Sequence, residues 1–515
     1  MPNVPALPFQ PIPRLFMVPL DSSLHEFLIE CHRIVQFEPT ILDHIESDFS
    51  AHGLRKKVLR EADRRFLEGQ TADLPKLRVE LRELEPATME LESGRPRIDP
   101  YLVYLCSMFR GRFGGCKDQE ARLLLEESVT MSWWLENLGL TLPAPSTLSE
   151  NLNAVSEATH DFIHKAQLSY VLGEGLDDLQ SLYLDSTAIK ADSQRPSDSG
   201  LLSKLVERIC RRGGKLDRFE LPNMNPIGLE ELQRDIGRMH RDIGFCTGKG
   251  KSKSRLKKLY YKLMRRARRA CKRFERELAT LQKALDVKSD LIPSQRLMAE
   301  DIIEMIGEDI QAIGQVGETC ERRVMKGEKV PSTEKIISTS DADAAFIVKG
   351  GWNTVLGYRP QLGRSAQGFI TTLIVPEGNA ADSGQLIHVV IDHCDRTGVI
   401  PQLVSADDGY SDRKVREDLL ELGVEIGSIG GAKGKKITPI QDWNHPDYRS
   451  ARANRSAVES LMFTLKDGYD FGRLRWREIP NVRAELIEKA LAYNLCQMIR
   501  VRKRRAATLV RLEAA

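Results

Sequence analysis

The hydrophobic and polar positions of the chain follow two periodicities. Residues 1–95 and 96–175 carry apolar residues at helical spacing, and the first of these ranges is also rich in charge. The segment SLYLDSTAIKADS, which begins at Ser181, changes to a short apolar run typical of a strand, with Asp185 in its middle. Helical spacing then returns from Leu201 to about Leu291. Its apolar stripe consists of Leu256, Leu259, Leu263, Ala267, Ala270 and Phe274. The pattern predicts a helical insertion behind the first strand.

Strand signals resume in AAFIVKGGWNTVLGYRPQL and GFITTLIVPEG, two segments with glycine breaks that predict a hairpin. Helices and strands alternate after them: a helix in ADSGQLIHVVIDHCDRTG, a strand ending at Ala406, a helix in SDRKVREDLLELG, a strand in VEIGSIG and a helix in NRSAVESLMFTLKDG. Antiparallel strands followed by alternating helices and strands predict a mixed α/β (α+β) sheet. We expect the segments 1–95 and 96–175 (helical), 176–200 (first strand), 201–335 (helical basic insertion), 336–470 (remainder of the sheet) and 471–515 (helical basic tail).

Length and composition indicate a globular protein with several structural units. At 515 residues the chain predicts roughly three units of ~150 residues each. It is 41% hydrophobic and 29% charged, and no apolar stretch reaches the roughly 20 residues needed to cross a bilayer. The proline-rich start, MPNVPALPFQPIPRLF, lacks the form of a secretory signal, and the nine cysteines include no Cys-x-x-Cys pair. We therefore expect a cytoplasmic protein with reduced thiols and no membrane partner.

The net charge of +3 hides one strongly basic segment. Thirteen of the 25 residues from Lys249 to Arg273 are Lys or Arg, and none is acidic. This density exceeds what solubility requires and favours a DNA-contacting helix, because basic side chains that neutralise phosphates release counterions. RNA, another protein or no partner at all are the alternatives. The candidate DNA-binding residues of this segment are Arg265, Arg266, Arg268 and Arg269.

Three acidic positions are candidates for chemistry. Asp185 interrupts an apolar strand, where a buried and unpaired carboxylate costs several kcal/mol, so it needs a partner or a metal. Asp407 and Asp408 follow the apolar run LVSA in IPQLVSADDGYSDRKV. The structural alternative for this pair is a polar strand end, with Ser411 or Asp412 capping the next helix.

The third acid is Glu459, in NRSAVESLMFTLKDG. At about 100° per residue, Arg455, Glu459 and Lys466 fall within roughly 60° of one helix face. A structural ladder of ion pairs would give the same spacing. An acid on a first strand, an acid at the end of a later strand and a glutamate on a following helix nevertheless form the arrangement that holds two Mg²⁺ ions in RNase H-like nucleases and transposases.

Three motifs carry a resemblance to DDE transposases of bacterial insertion sequences, of the ISNCY type and related to families with the YREK signature. YLDSTAIKADSQRPSDSGLL is similar to the first-aspartate block, SADDGYSD resembles the A-D-x-G-Y block, and RSAVESLMFTLK fits R-x3-E-x6-K. The resemblance extends over nearly the whole chain from about Arg97. One departure is Arg452, which stands where the signature has tyrosine.

The resemblance implies an RNase H-like catalytic core interrupted by a helical insertion. It makes Asp185, Asp407 and Glu459 the ligands of two Mg²⁺ ions, with Mn²⁺ as a substitute. Asp408 would then point outward, because neighbouring side chains on a strand face opposite ways. Arg455 and Lys466 would contact the DNA backbone or flipped end bases.

The implied enzyme is an endonuclease of DNA transposition. It cleaves the element ends and joins the freed 3′-hydroxyl to target DNA. Its expected partners are the terminal inverted repeats, target DNA and a second copy of the chain in a homodimer on the bacterial nucleoid. The alternatives are an RNase H-like nuclease or resolvase without strand transfer, and a domesticated DNA-binding protein.

Overall fold

A computed structural model describes residues 22–83, 98–114, 118–193, 197–222, 226–246, 251–331, 334–349 and 353–513. These residues form two compact units. The first unit draws its described residues from Met1–His52, Pro86–Asp192 and Asp343–Ala515, and the second from Gly53–Glu85 and Ser193–Ala342. The polypeptide therefore leaves the first unit and returns to it twice.

All the described strands belong to the first unit. They are β1 (Ser181–Ser186), β2 (Ile189–Lys190), β3 (Ala345–Lys349), β4 (Asn353–Tyr358), β5 (Gln361–Arg364), β6 (Ile370–Ile374), β7 (Leu403–Ala406) and β8 (Ile426–Ile429). Five of them form a sheet in the order β6-β5-β1-β7-β8, and β2-β4-β3 form a second sheet. In the larger sheet β5 is antiparallel to both β6 and β1, whereas β1, β7 and β8 run parallel. This sheet confirms the prediction of a mixed α/β fold.

The described helices are α1 (Ser22–Phe37), α2 (Thr40–Leu67), α3 (Leu74–Arg82), α4 (Pro100–Arg112), α5 (Asp118–Glu127), α6 (Val129–Asn137), α7 (Pro145–Ala154), α8 (Glu157–Gly173), α9 (Asp198–Lys215), α10 (Pro226–Gly244), α11 (Lys251–Val287), α12 (Pro293–Cys320), α13 (Leu386–Thr397), α14 (Arg413–Glu421), α15 (Gly431–Ile437), α16 (Ile440–Asn444), α17 (Pro446–Asn454), α18 (Ser456–Gly468) and α19 (Ile479–Glu513). A π-helical turn, Glu321–Lys326, follows α12. None of the described helices is long and apolar enough to cross a membrane.

The core of the larger sheet fixes the orientation of β1. Leu182 and Leu184 are fully buried in a cluster with residues of α13, β7 and α14. Because side chains alternate along a strand, Asp185 projects to the opposite face. The apolar run that makes β1 a strand therefore also determines where its one acid points.

The segments predicted to form a single hairpin make two hairpins in different sheets. The first segment, residues 344–362, supplies β3 and β4, which pair with each other, and then the start of β5. The second segment supplies β6, which pairs with β5. The sheet of β2, β4 and β3 lay outside the prediction because the partner of β4 in β2 is more than 160 residues earlier in the chain.

The second unit contains α3, α9–α12 and the later part of α2. Its core is apolar, and the predicted stripe of α11 faces it: Leu263, Ala267, Ala270 and Phe274 are buried, while Leu256 and Leu259 are partly buried against the same cluster. Where the structure describes residues 201–291 they are mainly helical, in α9, α10 and α11, and the basic residues of α11 lie around the buried stripe.

Candidate active site

Asp185 lies in the central strand of the larger sheet. Strand β1 is flanked by β5, where Asp185 is opposite Leu362, and by the parallel strand β7. The carboxylate is half-buried, and its Oδ1 accepts a hydrogen bond of 2.8 Å from the backbone N–H of Ser186. The next residue in the strand thus helps to orient this half-buried acid.

Asp407 follows directly after β7. Since β1 and β7 are parallel neighbours, their carboxyl ends meet at the same edge of the sheet, and Asp185 and Asp407 are both located at this edge. The Asp407 side chain accepts a hydrogen bond of 2.9 Å from the N–H of Gly409, which fixes a tight turn. The residue is half-buried.

Glu459 comes from the first turn of α18, a helix that packs against β1. Its Oε1 accepts a hydrogen bond of 2.8 Å from the guanidinium of Arg455, and its side chain is 58% exposed. The contact that the structural alternative expects, an ion pair between Arg455 and Glu459, is therefore present.

The electrostatics of Asp185 connect these elements. The pKa of Asp185 is raised to about 6, chiefly by burial and then by the carboxylates of Asp407 and Glu459, while the Ser186 N–H and the Arg455 guanidinium act to lower it. Asp407, Glu459 and Arg455 therefore all lie near enough to influence Asp185. Within the described ranges, however, no group of three or more His, Cys, Asp or Glu side chains is already arranged to hold a metal ion.

Asp408 makes different contacts from those of Asp407. Its Oδ1 accepts hydrogen bonds from the backbone N–H groups of Lys433 (2.8 Å) and Gly434 (3.0 Å), in the first turn of α15. These donors and the Ser411 hydroxyl lower the pKa of Asp408. Gly431, with φ of +84°, has no room for a side chain, because a Cβ would lie 2.5 Å from the Asp408 side chain. Asp408 therefore anchors α15 to the end of β7.

A polar network that the sequence did not predict lies beside the two aspartates. Arg359 donates to the Ser186 hydroxyl at 3.1 Å and forms an ion pair with the buried carboxylate of Asp382. Gln361 donates to the other oxygen of Asp382 at 3.0 Å and accepts a hydrogen bond from the hydroxyl of Tyr410.

This network reaches the acidic edge through Gly409. A Cβ on that residue would lie 3.0 Å from Oδ1 of Asp407 and 3.2 Å from Oδ2 of Asp382. Burial, followed by the carboxylates of Asp382, Asp185 and Asp407, raises the pKa of the Tyr410 phenol well above its ordinary value. The sequence signal that could have indicated this network is Arg359-Pro360-Gln361, which leads into β5.

The structure also shows the contacts of Lys466 and Arg452, two further residues in or near the R-x3-E-x6-K motif. Lys466 is half-buried in the last turn of α18, where a Cβ on Gly472 would lie 3.7 Å from its Cγ. Arg452, which replaces the signature tyrosine, lies with its guanidinium carbon 3.9 Å from the centre of the Trp443 ring and donates to the carbonyl of Trp443 at 2.6 Å. Arg452 thus joins α17 to α16.

The four candidate arginines of α11, in the second unit, divide into two pairs. Arg266 forms an ion pair with Asp235, and Arg268 forms one with Glu321. Arg265 and Arg269 line a cavity of about 590 Å³ and have no ion pair among the described residues. Two of the four guanidinium groups are therefore available to an external anion without breaking an internal contact.

Comparison with known proteins adds one finding. Residues 335–495 match the family model of the transposase DDE domain. No curated protein and no solved structure gives a significant match to the chain. The matched range contains Asp407 and Glu459, and Asp185 lies before it. The match supports a DDE transposase family and a role in DNA recombination, with DNA as the substrate.

Proposed function

We propose that this protein is an insertion-sequence DNA transposase that cleaves the ends of its element and joins the 3′-hydroxyl to target DNA. The observation that carries the proposal is the position of Asp185 and Asp407 at one sheet edge, where burial and then the carboxylates of Asp407 and Glu459 raise the pKa of Asp185. Two of these three acids lie in the range that matches the transposase DDE domain.

The donor set fits a pair of Mg²⁺ ions, or Mn²⁺ in their place. Carboxylate oxygens are the ligands that hard divalent cations prefer. The neighbouring carboxylates destabilise the ionised form of Asp185, and a bound cation would offset that repulsion. Asp185, Asp407 and Glu459 would hold the ions. When bound, two such ions activate the attacking oxygen and stabilise the leaving oxygen of a phosphodiester.

The side chains around the acids support roles in binding DNA. Arg455 lies near enough to lower the pKa of Asp185 while it pairs with Glu459, so its charge is located at the rim of the acidic edge. We assign Arg455 and Lys466 to contacts with the DNA backbone or end bases. Both residues are half-buried, which limits the positions that their cationic groups can take.

We assign the basic face of α11 to the DNA backbone. Arg265 and Arg269 make this contact directly, and Arg266 and Arg268 would join it by exchanging Asp235 and Glu321 for phosphates. Each phosphate neutralised on duplex DNA steepens the dependence of log affinity on log salt by about 0.9. Replacing all four arginines by alanine should therefore flatten that slope.

The arrangement of the chain supports an RNase H-like core with an inserted helical unit. Three antiparallel strands are followed by two parallel strands in one sheet, and α9–α12 lie in the sequence between β1 and the remaining strands. We further propose a homodimer that binds two element ends on the nucleoid. In such an assembly, one copy of the acidic edge serves each end.

The test uses a labelled duplex that carries the inverted repeat flanking the gene, incubated with the purified protein and Mg²⁺. Cleavage that leaves a 3′-hydroxyl, followed by joining to a target plasmid, is the expected result. Asp407→Asn should abolish both products. The matched control is Asp412→Asn, because Asp412 only caps α14 and asparagine retains the capping oxygen. Cleavage without joined products would indicate a nuclease, and equal activity of the two variants would overturn the assignment of Asp407.

A further inference from the structure

The cavity beside α11 combines features that a simple phosphate-binding surface does not need. Its volume of about 590 Å³ is within the roughly 300–1,000 Å³ range of ligand pockets. Met239 of α10 and Met325 of the π-helical turn supply apolar walls. The ring of Tyr261 lines the same cavity and is 56% exposed. An exposed aromatic ring in a cavity with methionine side chains in its lining offers a surface for a flat apolar group.

The rim of the cavity is cationic. Lys257, Lys258, Lys262, Arg265 and Arg269 line it, and no ion pair engages any of them among the described residues. The one carboxylate in the lining, that of Asp235, is already paired with Arg266. The positive charge of this rim is therefore not neutralised within the described part of the chain.

The spacing of these cations along α11 matches a row of phosphate groups. Four of them follow one side of the helix at intervals of three to four residues: Lys258, Lys262, Arg265 and Arg269. Eleven residues of helix extend about 16 Å, so the rim is longer than one phosphate group. A chain of phosphates, rather than a single anion, matches this row.

We propose that this groove binds an unpaired segment of DNA strand, with its phosphates on the lysines and arginines and a base stacked on Tyr261. A duplex presents its phosphates but keeps its bases stacked inside, so the apolar walls and the ring would have no role. A single strand offers both groups, and aromatic stacking together with a basic groove is the general mode of binding such strands. The inference rests on the proposed function for DNA as the partner.

The test measures binding by fluorescence anisotropy with the full-length protein in EDTA, so that no cleavage occurs. The probes are an oligothymidine single strand, a duplex of the same length, and a single strand of abasic residues that keeps only the phosphates. Tyr261→Ala should lower the affinity for oligothymidine by roughly five- to hundredfold, the effect of one stacked base. It should leave affinity for the duplex and the abasic strand unchanged. Tyr261→Phe should retain binding, because stacking uses the ring and not the hydroxyl.

The charged rim has a separate readout. Arg265→Ala with Arg269→Ala should lower the affinity for all three probes and flatten the salt slope for single strands by about 1.4, at about 0.7 per contact. Lys283→Ala is the matched control, since it removes an exposed charge from α11 outside the cavity lining. Melting curves of each variant establish that the fold is intact.

Two results would overturn the inference. One is an equal loss of duplex and single-strand binding in Tyr261→Ala, which would make the groove a duplex site. The other is unchanged oligothymidine binding in that variant with an intact fold. Neither result bears on strand transfer, which depends on Asp185 and Asp407. Conversely, a groove that behaves as expected in a protein that forms no transposition products would overturn only the proposed function.

Discussion

Asp185→Asn should stabilise the protein while abolishing its activity. The pKa of this carboxyl is raised from 3.8 to about 6, chiefly by burial and then by the nearby carboxylates. A tenfold change in a protonation constant corresponds to ~1.4 kcal/mol, so the ionised carboxylate destabilises the folded state by up to ~3 kcal/mol at pH 7. Asparagine keeps the shape and the oxygen that accepts the Ser186 N–H, but it carries no charge.

The sign of the pH dependence follows from proton binding. Between about pH 4 and pH 6 the unfolded chain has released the Asp185 proton while the folded chain retains it, so stability falls as the pH rises. Below both pKa values the carboxyl is neutral in both states and the effect disappears. The advantage of the asparagine variant should therefore grow from roughly 1.6 kcal/mol at about pH 5 to about 3 kcal/mol at about pH 7.5.

Urea titrations of both proteins at several pH values measure this difference, with Asp412→Asn as a control for an exposed acid that caps a helix. Mg²⁺ should stabilise the wild-type protein more than the asparagine variant, because the cation offsets the same repulsion. A variant that is no more stable at neutral pH, or an advantage that does not change with pH, would refute the electrostatic account of Asp185.

Variants at four further residues test the surroundings of the site. Asp407→Asn should abolish cleavage of an element-end duplex, whereas Asp408→Asn should retain most of it, since the amide oxygen still accepts the N–H groups of α15; the reverse result would transfer the ligand role to Asp408. Asp382→Asn should lower the free energy of unfolding by roughly 1–3 kcal/mol, because the contact with Arg359 loses its charge, and slow cleavage roughly ten- to hundredfold; normal cleavage rates would make the pair purely structural. Lys466→Ala should change the free energy of unfolding by well under ~1 kcal/mol yet reduce cleavage, and Lys466→Arg should restore cleavage only in part. Wild-type activity in the alanine variant would exclude contact between Lys466 and DNA.

The parts of the fold that local pattern determines were predictable. An apolar run interrupted by one acid predicted strand β1, and 3.6-residue periodicity predicted that α11 buries Leu263 and Phe274. Helix geometry placed Arg455 and Glu459 on one face, and the ion pair between them is the contact that the structural alternative expects. In each case the determining contacts lie within one element or one stripe.

The missed features depend on contacts between distant segments. The partners of Asp408 are backbone groups about 25 residues later, in α15, a short helix without a periodic signal. Asp382 was expected within a helix, but it lies in a tight turn before α13, and its partner Arg359 is 23 residues earlier. Composition and spacing cannot specify such pairs, because any of several arginines could satisfy a buried carboxylate.

These two missed contacts explain how the chain tolerates an acidic edge. Like charges at Asp185 and Asp407 repel one another, so the strand ends that carry them would separate unless other interactions held them. The bond from Asp408 to α15 fixes the end of β7, and Arg359, which contacts both Ser186 and Asp382, fixes the end of β1. Ser186 and Asp408, which follow the candidate ligands in sequence, therefore hold the two strand ends in place. The carboxylates of Asp185 and Asp407 themselves accept hydrogen bonds from nearby backbone groups. An edge built in this way holds the two carboxylates close together despite their repulsion. This is the arrangement that the proposed metal-dependent site would need.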